Sequence, residues 1–266
     1  MTQVIALGDI HGQMAVFDRL HHIQRRYPNA ITVFIGDYID GHVQGFDVLQ
    51  AVRAESLARP DQTVVLRGNH EQIMLDYLAD PEDETWLFNG GSDTMAYAIR
   101  QQFGRAQDPA ANRQRLLASY AGLLTWVDTL PIEYAIGKLR FVHAGYDLSV
   151  ANPISLTSED MKLWAREDYW YGAVDGVFAH NPLPATIVSG HTPTGYIEGR
   201  YDGDAAPAKV MDFSHHPVYK MQYPGEFPRV FIDGGNHGGA TGVVGNIVVL
   251  DSDSGQLLET FEDPQT

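Results

Sequence analysis

QVIALGD, residues 3–9, is a short apolar run that ends in a glycine and an aspartate. Residues 13–27 follow it with apolar side chains at helical spacing. The pattern then repeats through a second run (AITVFIGDY, 30–38), a second helical segment (45–58) and a third run (QTVVLRGNHE, 62–71). Strand and helix signals that alternate in this way predict βαβαβ units with a parallel sheet. Each run ends in polar residues, at the position where open α/β sheets bind their ligands.

The rest of the chain carries further strand signals around a helical segment. Between about residues 72 and 127 the pattern is helical, with a break at NGGSD (89–93), and we predict a helical insertion beside the sheet. Strands are predicted in LRFVHAGYD (139–147), ATIVSGHTPTG (185–195), PRVFIDGG (228–235) and GNIVVLDSDSGQLLETF (245–261). The stretch at about 198–228, rich in Gly, Pro and Asp, is typical of a long loop or hairpin. No linker is long enough to divide the chain, so we predict one domain over residues 1–266.

Composition and charge exclude several classes of function. Hydrophobic residues make up 44% of the 266 residues, enough to fill a core, and the net charge of −16 argues against a nucleic-acid surface. No apolar stretch approaches 18 residues, so we expect no membrane span. The first apolar run begins too close to Met1 for a signal peptide, and the absence of cysteine suits the cytoplasm. The oligomeric state is not predicted.

Side chains that can bind metal ions cluster just past the predicted strands. They are Asp9, His11, Asp37, Asp40, Asn69, His70, Glu71, His143 and His191. Carboxylate, imidazole and amide ligands without sulfur suit Mn²⁺, Fe or Zn²⁺. An aspartate on a neighbouring strand can bridge one ion to a second, and two ions roughly 3.5–4 Å apart can hold a phosphate and lower the pKa of a bridging water. Each piece alone is typical of an ordinary turn, but five in the same strand-then-loop context indicate a metal site.

Five short motifs resemble those of a known family. GDIHG (8–12), GDYID (36–40), GNHE (68–71), HAG (143–145) and SGHTP (189–193) are similar to motifs of the calcineurin-like metallophosphoesterases. They resemble most closely the phosphoprotein-phosphatase branch: bacterial serine/threonine phosphatases, lambda phosphatase and diadenosine tetraphosphatase. The resemblance runs from residue 4 to about 195, with a weaker echo at IDGGNHGG (232–239). It implies an α/β four-layer sandwich, in which two mixed β-sheets pack face to face with helices outside, plus the helical insertion.

The resemblance also implies roles for particular residues. The metal ligands that it assigns are Asp9 and His11 for the first ion, Asp37 for the bridge, and Asn69, His143 and His191 for the second. His70 would protonate the leaving alkoxide, with Asp40 hydrogen-bonded to it. A carboxylate behind an imidazole fixes its tautomer and raises its basicity, which suits this role. The implied cofactors are two divalent cations, Mn²⁺ first, with Fe, Zn or Mg as alternatives.

One position departs from the family pattern. Members hold the phosphate with two arginines, whose planar forks match its oxygens. Arg166, in MKLWARED (161–168), occupies the place of one, but Gly41 stands where the other would follow GDYID. His42 could turn in, His237 could fill the gap from its glycine-rich turn, or the space could be open for a bulkier substrate. We favour the open corner, with Arg166 and the metals carrying phosphate binding, and we take Asn89 as a further candidate at the pocket edge.

These residues predict an enzyme that hydrolyses phosphate monoesters by attack of metal-bound hydroxide, with His70 as general acid. The leading substrate is phosphoserine or phosphothreonine in a protein, and a small phosphoester is the other partner class. A dinucleoside polyphosphate hydrolase or phosphodiesterase is the alternative. A non-catalytic metal-binding pseudo-phosphatase is a third reading, which the retention of all the metal ligands and the acid disfavours. The pair His215 and His216 is expected to be exposed.

Overall fold

Two five-stranded mixed β-sheets form the centre of the computed structural model, which describes residues 2–203, 205–239 and 242–263. The first sheet contains β1 (Gln3–Leu7), β2 (Ile31–Phe34), β3 (Thr63–Val65), β9 (Ile247–Asp251) and β10 (Leu257–Phe261), in the order β10-β9-β1-β2-β3. The second contains β4 (Glu133–Ile136), β5 (Leu139–Val142), β6 (Thr186–Ser189), β7 (Tyr219–Met221) and β8 (Arg229–Phe231), in the order β4-β5-β6-β8-β7.

Each sheet contains three parallel strands and two antiparallel pairings. β1, β2 and β3 run parallel, as the βαβαβ pattern predicts, while β9 and β10 add antiparallel neighbours on the other side of β1. In the second sheet β5, β6 and β8 run parallel, and β4 and β7 flank them in the antiparallel sense. The carboxyl ends of the parallel strands in each sheet therefore lie at one edge of that sheet.

The two sheets pack face to face. Val4 and Ala6 of β1 share a buried apolar cluster with Phe141 of the second sheet, whereas Ile5 and Leu7 belong to another cluster, formed with the helices. This division follows from the two-residue alternation of a β-strand, which sends successive side chains to opposite faces. The predicted four-layer α/β sandwich is confirmed.

Helices cover both outer faces. On the first sheet these are α1 (Val16–Arg26), α2 (Gly45–Ala58), α3 (Asn69–Ala79), α4 (Ser92–Phe103), α5 (Pro109–Ser119) and α6 (Ala121–Asp128). Three short helices lie by the second sheet: α7 (Pro153–Leu156), α8 (Glu159–Trp164) and α9 (Glu167–Trp170). Within the described ranges, every helix is too short or too polar to span a membrane.

The break predicted at NGGSD is a π-helical turn. It covers Leu87–Gly91 and joins directly to α4, and inside it Asn89 (φ −99°, ψ 27°) and Gly90 (φ 101°) leave helical geometry. The positive φ of Gly90 is a conformation that glycine adopts without steric cost. The break therefore redirects the chain in the middle of the predicted helical insertion.

Some elements were not predicted from the sequence. β4 and β7 are short outer strands with partly exposed residues, and they lack the continuous apolar run that marked the inner strands. Helices α7 to α9 are only four to six residues long, too short to show a helical period. The stretch at 198–228 is mostly loop, with β7 inside it.

Candidate metal centre

A buried polar side chain follows each of six strands. After β1, β2, β3, β5, β6 and β8 come, respectively, Asp9, Asp37, Asn69, His143, His191 and Asp233. All six are at most 6% exposed, although polar side chains at strand ends are ordinarily solvated. This common placement brings the predicted metal ligands of both sheets into one centre.

The backbone at this centre adopts an uncommon conformation. Among the described residues, the non-glycine residues with positive φ are Asp9, His11, Asp37, Asp40 and His191, at φ values from 47° to 68°. Such a conformation costs about 1–3 kcal/mol per residue and persists where surrounding contacts enforce it. Backbone bonds from Asp9 N to Gly36 O and from His11 N to Asp37 O, both 3.0 Å, tie the first two loops together. The loops are thus held in shapes that aim their side chains inward.

Two groups of potential ligand atoms share Asp37. One group is Asp9, His11 and Asp37, and the other is Asp37, His143 and His191; within each group the ligand atoms lie within 4.8 Å of one another. The Oδ1 atom of Asn69 is 2.8 Å from His143 Nε2 and 2.9 Å from His191 Nδ1, so it belongs to the second group. The arrangement brings all six predicted metal ligands together, with Asp37 between the two halves.

Backbone carbonyls orient two of the imidazoles. Nδ1 of His11 donates to Ile39 O at 2.8 Å, and Nδ1 of His143 donates to Ile35 O at 2.9 Å. In each ring Nε2 is therefore the nitrogen left free to bind a metal ion, and a partner on the other nitrogen is what metal-bound histidines ordinarily have. Burial lowers the pKa of His11 to about 3, so that this ring stays neutral and keeps its lone pair.

The electrostatics of the centre suit cations. Burial, together with the charges of Asp233 and Asp37, raises the pKa of Asp9 well above its ordinary value. Asp9 Oδ2 and His191 Nε2 are buried without a hydrogen-bond partner, which would be costly unless another ligand satisfied them. Clustered carboxylates, neutral imidazoles and unpaired lone pairs fit two divalent cations, and no thiolate is present to favour a softer site.

His70 and Asp40 form a pair beside this centre. His70 Nδ1 lies 2.7 Å from Asp40 Oδ2, and both residues are buried. Asp40 also accepts hydrogen bonds from Trp86 Nε1 at 3.0 Å and from Thr94 Oγ1 at 2.8 Å. Burial tends to lower the pKa of His70, but the Asp37 charge and the Asp40 hydrogen bond outweigh it and raise that pKa to about 9. The imidazole is thus fixed in orientation and carries a proton at neutral pH.

Residues on either side of the π-helical turn supply two of the contacts to Asp40. Trp86 directly precedes this turn and Thr94 follows it, so that both side chains reach one carboxylate. A Cβ on Gly90 would lie 3.0 Å from Asp40 Cβ, which shows how closely the turn approaches. Sequence reasoning missed Trp86 and Thr94, because nothing in NGGSD itself indicates which strand-end residue it meets.

Arg166 lies at the rim of the pocket above the centre. This pocket has a volume of about 400 Å³ and is lined by His11, Asp37, Asn69, His70, Asn89, Trp164, Arg166, His191, Pro193, Tyr196, Phe213, His216, Asp233, Gly235, His237 and Gly238. Among these described lining residues, Arg166 is the one Lys or Arg. Its Nη1 donates to Thr192 Oγ1 at 2.9 Å, which holds the guanidinium beside the loop that carries His191.

The turn that carries His237 lies against the corner at Gly41, although both residues are exposed. Gly41 has φ 73°, and a Cβ built on it would lie 3.0 Å from both Cα and O of His237. The turn carrying His237 is anchored by Asn236, whose Nδ2 donates to Asp9 O at 3.0 Å. The ring of His237 lies 4.8 Å from that of His11 and 4.9 Å from that of His70, between ring centroids. This proximity favours the second of the three explanations considered, which stays a prediction.

The other predicted substrate contacts differ in placement. Asn89 lines the pocket, but its Nδ2 donates to Thr85 O at 2.8 Å within its own turn. His42 is not among the described lining residues; its backbone N donates to His11 O, and its Nε2 is buried without a partner. His216, expected to be exposed, is partly buried and lines the pocket. The reason is that its Nδ1 accepts a hydrogen bond from Gly195 N at 3.0 Å.

Asp233 was not assigned a role from the sequence. It is 2% exposed, its Oδ1 accepts a hydrogen bond from Gly235 N at 2.8 Å, and burial raises its pKa to about 7. The signal was present, because PRVFIDGG has the same apolar run followed by an aspartate as the first two strands. Asp233 is therefore a further carboxylate at the centre.

Comparison with known proteins assigns the family. A sequence model of the calcineurin-like phosphoesterases matches residues 2–227. The chain belongs to the calcineurin-like phosphoesterase family. This confirms the resemblance stated from the motifs, and it places the chain among hydrolases that act on phosphate esters. The phosphoesterase is 25% identical over 183 residues to the serine/threonine-protein phosphatase 6 catalytic subunit of Drosophila melanogaster. That alignment covers 68% of this chain but only 57% of the fly protein.

Solved structures share the fold of this phosphoesterase at low sequence identity. A putative diadenosine tetraphosphatase superimposes with a TM-score of 0.54 at 16% identity, over 100% of this chain and 95% of that one. A protein serine/threonine phosphatase from Saccharomyces cerevisiae gives a TM-score of 0.52 at 16% identity, over 100% and 81%. At these identities the comparisons speak for the fold alone.

Proposed function

We propose that this phosphoesterase hydrolyses phosphate monoesters, with phosphoserine or phosphothreonine in proteins as its leading substrate. One observation carries the proposal: a histidine oriented by a buried aspartate (2.7 Å, His70 Nδ1 to Asp40 Oδ2) faces the same pocket as the two ligand groups that share Asp37. A proton donor at this point matters most for an ester whose leaving group is a poor one, such as an alkoxide.

The residues of the centre would hold two divalent cations, Mn²⁺ first, with Fe, Zn or Mg as alternatives. The first would take Asp9 and His11, the second would take Asn69, His143 and His191, and Asp37 would serve both. When bound, such cations supply positive charge to the phosphate oxygens and lower the pKa of a bound water. The unpaired atoms Asp9 Oδ2 and His191 Nε2 support this assignment.

His70 would act as the general acid. Because Nδ1 is engaged by Asp40, Nε2 is the atom left to give a proton to the departing oxygen. Asp40 would hold the ring in place and stabilise its charge, and its bonds from Trp86 and Thr94 leave it little freedom to turn away. Arg166, at the rim, would bind the phosphate through its planar fork.

A hydrolysis panel with added Mn²⁺ tests the function. The four substrates are p-nitrophenyl phosphate, a phosphoserine peptide, bis-p-nitrophenyl phosphate and a dinucleoside tetraphosphate. We expect the two monoesters to be hydrolysed fastest. If the diester or the dinucleotide were strongly preferred, the enzyme would be a phosphodiesterase or dinucleoside polyphosphate hydrolase instead. If none were hydrolysed by protein that binds metal, a non-catalytic role would replace the proposal.

The role of His70 is tested by substitution. His70→Asn is expected to lower the rate on an alkyl phosphate by about 10²–10⁴-fold, the usual contribution of general acid catalysis. The loss on p-nitrophenyl phosphate should be far smaller, since that leaving group hardly needs a proton. His21→Asn is the matched control, because His21 pairs with Glu55 on the surface. Equal losses on both substrates would contradict the assignment.

The absence of cysteine supports a reducing compartment, and we propose the cytoplasm as the place of action.

A further inference from the structure

One wall of the pocket is aromatic, and its side chains lie outside the five motifs. It consists of Tyr196, Phe213 and His216, which we call the aromatic wall. The ring centroid of Tyr196 is 5.0 Å from that of Phe213 and 5.6 Å from that of His216, and both pairs meet edge to face. These separations are those of packed aromatic rings, so the three side chains form one surface.

The aromatic wall is tied firmly to the loop that follows His191. Gly195 N donates to His216 Nδ1 at 3.0 Å, and Asp212 N donates to Gly195 O at 2.8 Å. A Cβ on Gly195 would lie 2.1 Å from Asp212 O, so the two segments approach as closely as only glycine permits. Asn246 Nδ2 adds a bond to His216 O at 2.8 Å. The wall is therefore a preformed surface, held by bonds from three parts of the chain.

The aromatic wall is continuous with the metal centre. A Cβ on Gly235 would lie 2.4 Å from His216 Cδ2, and the backbone N of Gly235 donates to Asp233 at the centre. Tyr196 is 44% exposed and Phe213 is 65% exposed, so that both rings present uncovered apolar surface. Exposed aromatic surface of this kind, inside a pocket with convergent polar groups, is typical of a binding site.

We propose that the aromatic wall binds a planar aromatic group of the substrate, carried close to a single phosphate. The inference rests on the proposed monoester hydrolysis, and it extends the leading phosphoserine or phosphothreonine class to monoesters that are aryl esters or carry an aromatic group through a short linker such as a sugar. Charge favours one phosphate, because Arg166 is the one Lys or Arg among the described residues of the pocket lining. A chain of several phosphates carries more negative charge, and a protein of net charge −16 has few cationic side chains near the pocket to balance that charge.

Non-hydrolysable ligands test the binding of the ring apart from catalysis. With Mn²⁺ present, we expect phenylphosphonate to bind about three- to tenfold more tightly than propylphosphonate, the range expected for one aromatic contact. Tyr196→Ala and Phe213→Ala should each lower the affinity for phenylphosphonate much more than the affinity for propylphosphonate. Phe213→Leu keeps an apolar side chain without the ring and should behave like Phe213→Ala. Phe103→Ala, which removes an exposed aromatic ring from α4, should change neither affinity.

Two outcomes would overturn the inference. One is equal affinity of the wild-type protein for the two phosphonates. The other is an equal loss of both affinities in Tyr196→Ala and Phe213→Ala with unfolding temperatures unchanged. Because phosphonates are not hydrolysed, these results are independent of the proposed function, which is tested separately by the hydrolysis panel.

Substrates then distinguish the sources of the aromatic group. A phosphotyrosine peptide and a nucleoside 5′-monophosphate are compared with a phosphoserine peptide in wild-type and Phe213→Leu protein. A selective fall in kcat/KM for the phosphotyrosine peptide identifies an aryl ester, and a selective fall for the nucleotide identifies a base held through its sugar. If kcat/KM falls equally for all three substrates, the aromatic wall does not recognise the ring, and the inference is wrong.

Discussion

The strand-end side of the pocket and its loop side differ in almost every physical respect. On the strand-end side, Asp9, Asp37 and His143 are at most 2% exposed, and two of them lie on backbone held at positive φ. On the loop side, Tyr196 and Phe213 are largely exposed and lie on segments tied together by a few hydrogen bonds. The first side stores conformational strain around charged groups, whereas the second presents uncovered apolar rings.

This difference separates two kinds of mutational effect. Groups on the strand-end side have no alternative partner when one of them is lost, because burial keeps water out. Their loss should therefore change metal content and the rate of the chemical step. Groups at the loop side and the rim are proposed to contact the substrate from the edge, so their loss should appear mainly in KM. The following predictions test that separation.

The largest effect is expected at Asp37. Asp37→Asn keeps an oxygen for the bond from His70 N (3.1 Å to Oδ1) but removes the charge shared by both ligand groups. Removing the hydrogen-bond partner of a metal ligand lowers metal affinity by ~10–100-fold. Removing the charge of the shared ligand itself should lower metal affinity by more than this, and activity should fall with it. Elemental analysis after dialysis measures this, with Asp61→Asn, an exposed site, as control. Full occupancy of two ions in Asp37→Asn would contradict the shared bridge.

The two sides also differ in how far the sequence predicts them. The inner strands could be predicted because each is a short apolar run ended by a polar residue, and Asp9, Asp37 and His143 follow that rule. Asp233 follows it too and was missed only because its motif is weaker. Local pattern is sufficient here, since parallel strands bring their carboxyl ends together whatever the connections between them.

The loop side depends on contacts between distant segments, which local pattern does not contain. Gly195 and His216 meet through one hydrogen bond across 21 residues of irregular chain. Trp86 and Thr94 reach Asp40 across 46 and 54 residues. Edge strands such as β4 were missed for a related reason, because their partly exposed residues lack an apolar run.

The next largest effect is expected at Arg166, on the rim. Arg166→Ala should raise KM for a phosphate monoester by more than about tenfold, because a hydrogen bond to a charged group contributes about 1.5–3 kcal/mol. The value of kcat should change much less, and metal content should not change. Arg166→Lys retains the charge but not the planar fork, and an intermediate KM is expected. Steady-state kinetics on phosphoserine peptide provide the measurement, and unaltered KM in Arg166→Ala would remove this residue from phosphate binding.

A smaller effect is expected where the helical segment meets the strand-end side. Thr94→Val removes the 2.8 Å hydrogen bond to Asp40 with little change of volume, while Trp86 continues to donate. The rate on an alkyl phosphate should fall by about tenfold or less, since the carboxylate loses one of its three hydrogen-bond donors. Thr125→Val, on the surface of α6, is the matched control. A change in KM without a change in kcat would show that Thr94 acts on substrate binding rather than through His70.

The smallest effect is expected at Gly41, where the two sides of the pocket touch. Gly41→Ala places a methyl group at φ 73°, which costs about 1–2 kcal/mol of unfolding free energy through conformation alone. Gly104, which ends α4 at φ 75° with nothing within 4 Å of the place where a Cβ would lie, provides the matched control. Gly104→Ala should show the conformational cost only.

Any excess loss in Gly41→Ala reports the contacts with the backbone of His237 and with His11 Cβ, each 3.0 Å from the new methyl group. Displacement of that turn should also raise KM for small monoesters, and Gly41→Arg should act in the same direction more strongly, because its first side-chain carbon meets the same contacts. Chemical denaturation of both alanine variants, with kinetics on p-nitrophenyl phosphate, measures the two effects. If Gly41→Ala were no less stable than Gly104→Ala and kept the wild-type KM, the corner would be open in solution, and His237 would not be the residue that fills the place of the missing arginine.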